Sequence, residues 1–201
     1  DKICFKSLDV ISACKLGTCF GNVFNSPSVC VASDDNDYSK TVKLAFVSGL
    51  CSSGCNCFDI GSSFLSKLFY TSMFCQLDYC FYFSFSDSGV SLEIFNKKCE
   101  KLNVVNLYNL LFIYRKYKRE NMTYEKVKKV KQIKGLSKVY IRDLKSLIPS
   151  ADALSRYKVS SNNPIIEKLI NQLLKAKKTS NNYNLKFDFF ISNSGEKLTL
   201  T

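Results

Sequence analysis

Cys51-Ser52-Ser53-Gly54-Cys55-Asn56-Cys57 places three cysteines within seven residues, in the middle of a cysteine-rich half. The chain holds ten cysteines in all: Cys4, Cys14, Cys19, Cys30, Cys51, Cys55, Cys57, Cys75, Cys80 and Cys99. An even set of this density pairs in an oxidising compartment; in a reducing one it binds metal or stays free. Cys55 and Cys57 do not pair with each other, because one intervening residue holds them in poor geometry. Zinc is the alternative, with Cys51, Cys55, Cys75 and Cys80 as ligands and Cys14-x4-Cys19 as a further arm. The irregular spacing and the complete absence of histidine weigh against it. Disulfides are therefore expected, with no metal and no cofactor, each bridge adding about 2–4 kcal/mol by restricting the unfolded chain.

Around this stretch the first half reads as strands and turns. Val42-Lys43-Leu44-Ala45-Phe46-Val47 reads as a strand running into the cysteine cluster. In residues 1–33, Gly17, Gly21 and Asn25-Ser26-Pro27-Ser28 break any helical period, so short strands and loops are expected. Asp34-Asp35-Asn36-Asp37 is an acidic loop. Its carboxylates suit calcium, but the glycine and distal glutamate of an EF loop are missing, and a solvated turn is the plainer reading. Residues 62–74 have helical spacing. Tyr79, Phe81, Phe83 and Phe85 alternate, Ser86-Asp87-Ser88-Gly89 turns, and Val90, Leu92 and Ile94 alternate back. That pattern is a β-hairpin whose aromatic face fills a core more readily than it lines a groove.

The second half has a different chemistry. Up to Asn96 there are six lysines against nine acids; beyond it, 23 Lys and Arg against eight acids. Residues 98–119 read as a helix that is apolar over much of its circumference, with Arg115, Lys116, Lys118 and Arg119 at its end. Tyr114 and Tyr117 among those charges suit either packing or base stacking. A basic helix is expected over 123–134, carrying Lys128, Lys129, Lys131 and Lys134, and another over 138–147 with Arg142. A helical turn is expected over 150–157. Asn163-Pro164 opens an amphipathic helix whose stripe is Ile166, Leu169, Ile170, Leu173 and Leu174. Leu185, Phe187 and Phe189, a turn at Asn193-Ser194-Gly195, then Leu198 and Leu200 read as a closing hairpin.

The fold class expected is α+β. A cysteine-rich strand and hairpin module covers residues 1–96, and a basic helical module ending in a β-hairpin covers residues 97–201. Three helices before a hairpin have the element order of a winged helix, with Arg142, Asn171 and Gln172 as the residues able to read bases.

Without histidine, Ser-His-Asp and Cys-His pairs are excluded, and phosphate-binding and dinucleotide glycine loops are absent. No catalytic residue is assigned, and no enzyme is expected. Asn121-Met122-Thr123 is a glycosylation sequon, with Asn121 as the acceptor. No transmembrane segment is expected, and a start at Asp1 is compatible with removal of a leader. The expected function is a disulfide-stabilised, non-enzymatic binding module, extracellular or in the secretory pathway, such as a viral or parasite virulence protein. Its partner would be a protein or a polyanion such as a glycan or anionic surface. The polyanion-binding candidates are the nine basic residues named above, from Arg115 to Arg142. The alternative is an intracellular, winged-helix-like nucleic-acid binder that holds zinc or keeps its thiols, such as a replication or ribosome-associated factor.

Overall fold

The computed structural model describes residues 5, 7–117, 124–133, 135–147, 157–161, 164–174, 187–191 and 198–200. It shows a mixed α/β fold with six α-helices and a five-stranded sheet among these residues. The chain divides into two units. One comprises Asp1–Ser63 and Leu68–Ile133, the other Phe64–Lys67 and Lys134–Thr201.

The first unit alternates helices and strands, not the short strands and loops expected. Helix α1 spans Val10–Val23, capped by Asp9, whose carboxylate accepts from the Ser12 amide at 2.8 Å. Strand β1 is Ser28–Ser33, and helix α2 is Asp37–Ser52, capped by Asn36. Residues 42–47, read as a strand, lie inside α2. Val42, Phe46, Val47 and Leu50 share its buried face, a period that a six-residue window does not reveal. Gly17 of α1 and Gly49 of α2 are contact points between the helices. A Cβ on Gly17 would lie 2.2 Å from the Phe46 carbonyl oxygen, and one on Gly49 would lie 2.0 Å from that of Cys14. Their lack of a side chain lets the two backbones touch.

Strand β2 is Asn56–Ser62, helix α3 is Leu65–Phe74, and strands β3 and β4 are Tyr79–Ser86 and Gly89–Asn96. Helix α4, Val104–Lys116, begins at an Asn103 cap, and β5 is Lys131–Gln132. The sheet order is β4-β3-β1-β2-β5, and only β4 runs antiparallel. The hairpin expected around Ser86–Gly89 is present, with Phe81 opposite Ile94 and Phe83 opposite Leu92. It forms the edge of a largely parallel sheet, so the picture of a separate cysteine-rich hairpin module is not supported. The basic helix expected over 123–134 is instead a single 3-10 turn at Tyr124–Lys126 followed by β5. The core is aromatic: Phe81 lies 4.8 Å from both Phe20 and Phe46, and Phe83 lies 5.4 Å from Phe46. Leu110 of α4 belongs to the same core.

In the second unit, α5 is Leu136–Ser146, β6 Tyr157–Ser161, α6 Pro164–Leu174, β7 Phe187–Ile191 and β8 Leu198–Leu200. Pro164 opens α6 as its fixed φ favours. Strands β7 and β8 pair antiparallel, but β6 pairs parallel with β7 across α6. That strand–helix–strand crossover replaces the winged-helix order. Of the remaining expectations, residues 150–156 and the turn at 193–195 lie outside the described residues.

Candidate functional site

In an open α/β sheet the loops at the carboxyl ends of the parallel strands surround a crevice at the point where strand order reverses. Here β1 is followed by β2 on one side and has β3 on the other, so the switch point lies between β1 and β3. Asp34, immediately after β1, ties the two strands together there. Its backbone amide donates to the Phe83 carbonyl at 2.9 Å, and its carboxylate accepts from the Phe85 amide at 2.7 Å and the Asn36 amide at 3.2 Å.

The groups around this point come from three loops. From the β1–α2 loop, Asp35 and Asp37 both pair with Lys40, at 2.9 and 3.0 Å. The Lys40 contact, with a further hydrogen bond from Ser62, holds the Asp35 carboxyl below its ordinary range. From the end of β2, Ser63 donates its amide to the Ser33 carbonyl at 2.7 Å, and its own carbonyl accepts from the Tyr82 hydroxyl at 3.1 Å. From the β3–β4 turn, Ser86 and Ser88 exchange a hydrogen bond of 2.9 Å, and the Ser7 hydroxyl reaches the Ser88 carbonyl. The exposed rings of Tyr38 and Phe85 meet edge-on at 6.3 Å, giving the rim an aromatic ledge beside the serines.

Below the rim, Lys43 is almost wholly buried and pairs with Asp59 at 2.8 Å. Asp59 also accepts from the Gly61 amide at 2.8 Å. The hydroxyls of Ser33, Ser39 and Ser63 are buried without a hydrogen-bond partner among the described residues. The rim thus offers hydroxyls, carboxylates and an aromatic surface on a braced framework.

The residues singled out from the sequence lie elsewhere. All nine described cysteines are free thiols; Cys4 is outside the described residues. Cys14 and Cys19 are on α1, Cys30 on β1, Cys57 on β2 and Cys80 on β3, while Cys75 follows α3 and Cys99 follows β4. The Cys51–Cys57 stretch runs from the end of α2 through a three-residue turn into β2, closed by a hydrogen bond from the Cys55 amide to the Leu50 carbonyl. Burial pushes Cys19 and Cys55 up to about 11 and Cys80 up to about 12. Cys51 is lowered because the Cys57 thiol hydrogen-bonds to it, and Cys57 is raised by the same contact and by burial. Arg115 and Lys116 end α4. Lys128 and Lys129 lie in the exposed segment before β5, and Lys131 lies over the Phe58 ring on β5 itself. Arg142 sits on α5 and pairs with Asp143 at 3.1 Å. Lys118, Arg119, Asn121 and Lys134 are outside the described residues.

Comparison with known proteins finds one family model and several similar folds. Residues 2–81 match the family model for phosphoglucomutase/phosphomannomutase, alpha/beta/alpha domain I. Two solved structures are similar in fold. One is a phosphoglucomutase/phosphomannomutase family protein from Burkholderia thailandensis, at 15% identity and a TM-score of 0.64 over 94% of this chain. The other is a putative phosphomannomutase from Thermus thermophilus, at 8% identity and a TM-score of 0.73 over 98% of this chain. The chain spans 41% and 55% of their lengths. No curated protein matches.

The family match overturns the expectation of a non-enzymatic binding module, and with it the nucleic-acid alternative. The matched model is named for enzymes, which removes the ground for expecting none, and it supports none of the secreted, glycoprotein or virulence features. Among the described residues no helix is long and apolar enough to cross a membrane.

The expectation of no cofactor is corrected too, because phosphohexomutases normally use magnesium; zinc has no support. The described residues do not themselves fit a magnesium site. They include no group of three or more His, Cys, Asp or Glu able to hold a metal. Three of the rim carboxylates are already engaged, Asp35 and Asp37 by Lys40 and Asp34 by two backbone amides.

Sequence reasoning misses the rim because its serines and aspartates are scattered along the chain. The available signal is the apolar run Val29-Cys30-Val31-Ala32 followed by Asp34-Asp35-Asn36-Asp37: a buried parallel strand ending in a polar loop.

Proposed function

We propose that this chain supplies a sugar-handling α/β domain of a phosphohexomutase, an enzyme that interconverts positional isomers of a hexose phosphate. The observation that carries the reading is the family match over residues 2–81, which includes β1, β2 and the switch point between β1 and β3. The rim supports it chemically. A hexose ring presents an apolar face and a belt of hydroxyls. The Tyr38–Phe85 ledge suits the first, and Ser86, Ser88 and Asp87 suit the second.

The charge balance favours a phosphoryl position away from this rim. Four rim carboxylates, Asp34, Asp35, Asp37 and Asp87, stand against Lys40, which is already paired with Asp35 and Asp37. Cations that neutralise the phosphate must therefore come from beyond these residues. The work of this rim is to position the sugar and hold its hydroxyls, and Asp34 keeps the ends of β1 and β3 in register for that task.

The test is a titration of the chain with glucose 1-phosphate and mannose 1-phosphate in magnesium-containing buffer, read by calorimetry. Saturable binding that Ser86→Ala/Ser88→Ala weakens at least threefold is expected. Absence of binding by either sugar phosphate, or binding unchanged in that variant, would overturn the reading.

A further inference from the structure

The opposite end of the sheet carries a second opening. A cleft of about 650 Å³ lies at the amino ends of β1 and β3 and the carboxyl end of β4, within the first unit. Its volume falls in the range of small-molecule sites. The lining is largely polar, and its charges balance: Lys97 and Lys98 against Asp78 and Glu100.

Several lining groups are fixed in place. Asp78 accepts from the Ser28 amide at 2.9 Å. The Asn96 side chain donates to Glu100 at 2.9 Å and accepts from the Lys98 and Glu100 amides. Asn25 has a positive φ of 54° and follows the end of α1, where the Ser26 amide closes onto the Gly21 carbonyl at 2.8 Å. The Ser26 hydroxyl is anchored to the Ser53 carbonyl at 2.6 Å.

Other groups remain open. The Asn25 and Asn106 side-chain amides make no hydrogen bond among the described residues. Nor does the Tyr79 hydroxyl, which is raised above its ordinary pKa by burial and then by the neighbouring Asp78 charge. The Tyr79 ring packs 5.1 Å from Phe24, so the wall also has an aromatic component.

We infer that this cleft is a binding site for a neutral saccharide, separate from the rim at the carboxyl ends. Two open amides provide paired donors and acceptors, the form of contact that vicinal hydroxyls match. Phe24 and Tyr79 supply the surface for a sugar's apolar face. Balanced lysines and carboxylates favour an uncharged ring over a phosphorylated one, because a phosphate gains from the lysines what it loses to the acids. The inference does not depend on the rim acting in phosphohexose chemistry.

The experiment is an NMR titration of the nitrogen-15-labelled full chain with glucose, mannose and maltose, then with glucose 6-phosphate. Saturable shifts at Asn25, Ser26, Asn103 and Asn106 are expected for at least one neutral sugar. Asn25→Ala/Asn106→Ala should weaken that binding at least fivefold while leaving the rest of the spectrum folded. Shifts confined to the rim, no saturable shift with any neutral sugar, or tighter binding of glucose 6-phosphate than of every neutral sugar would each overturn the assignment. A failure of sugar phosphate binding at the rim would leave the cleft result intact, so the two readings fail separately.

Discussion

At the carboxyl end of the five-stranded sheet most of the charges are satisfied within the protein, whereas at the amino end they border an open cleft. Lys43 is buried against Asp59, Lys40 holds Asp35 and Asp37, and Asp34 is spent on two amides. Lys97 and Lys98 make no ion pair among the described residues, and two amide side chains beside them are unpartnered. The same residue types thus brace one end and remain available at the other. A braced rim keeps hydroxyls and an aromatic ledge in place for chemistry that depends on orientation; an open cleft suits reversible binding.

The sharpest way to break this contrast is to remove one partner of the buried pair. Lys43→Met leaves Asp59 charged in a site with little water, and the expected loss is about 3–5 kcal/mol of unfolding free energy. Lys43→Met/Asp59→Leu should recover most of it, because two packed apolar groups replace two desolvated charges. Urea unfolding of both variants checks this. A single variant as stable as the parent would mean that the pair is solvated and the rim is not braced.

Next in size is Asp34→Ala, which removes the carboxylate joining the β1 end to Phe85. The expected cost is about 1–2 kcal/mol, given the partial exposure of the site. Hydrogen exchange should quicken at Phe85 before it does at Val29, in the middle of the core.

A smaller effect comes from pH. Asp35 is depressed by Lys40, so its contribution is present above the ordinary carboxylate pKa and disappears as pH falls through the lower folded value. Lys40 is raised by Asp35 and then Asp37, so its contribution is full below 10.5 and disappears as pH rises through the higher folded value. Both groups are exposed, so the unfolding midpoint should fall only slightly below about pH 4 and above about pH 10.5. Lys40→Met should flatten both limbs.

The smallest change is expected at the amino end. Lys97→Ala/Lys98→Ala should alter stability by less than about 0.5 kcal/mol, since neither lysine holds an ion pair among the described residues. A loss comparable to that of Lys43→Met, measured in the same urea series, would erase the distinction between the two ends.

Parts of this architecture are legible in the sequence because local chemistry decides them. Ser86-Asp87-Ser88-Gly89 between alternating apolar runs gives the β3–β4 turn, and Asn163-Pro164 before the Ile166–Ile170 stripe gives α6. Helices α1 and α2 are not legible by the same rules. Gly17 resembles a helix breaker until its close approach to the α2 backbone explains it. The cysteine density suggests staples, yet Cys51, Cys55 and Cys57 fill the turn and strand beside the core as small buried side chains. The rim depends on parallel pairing of β1 with β3, which brings Asp34 to Phe85 across fifty-one positions. No local pattern encodes that meeting. The acidic loop is visible in the sequence, but its place at a switch point is not.

The most direct test of the sugar-handling rim is to map where a sugar phosphate touches the protein. Amide shifts of the labelled chain should be followed during titration with glucose 1-phosphate in magnesium-containing buffer. Saturable shifts are expected at Asp34, Asp35, Tyr38, Phe85, Ser86 and Ser88. Shifts confined to Arg115, Lys116 and residues 128–131, or no saturable shift at all, would contradict that expectation.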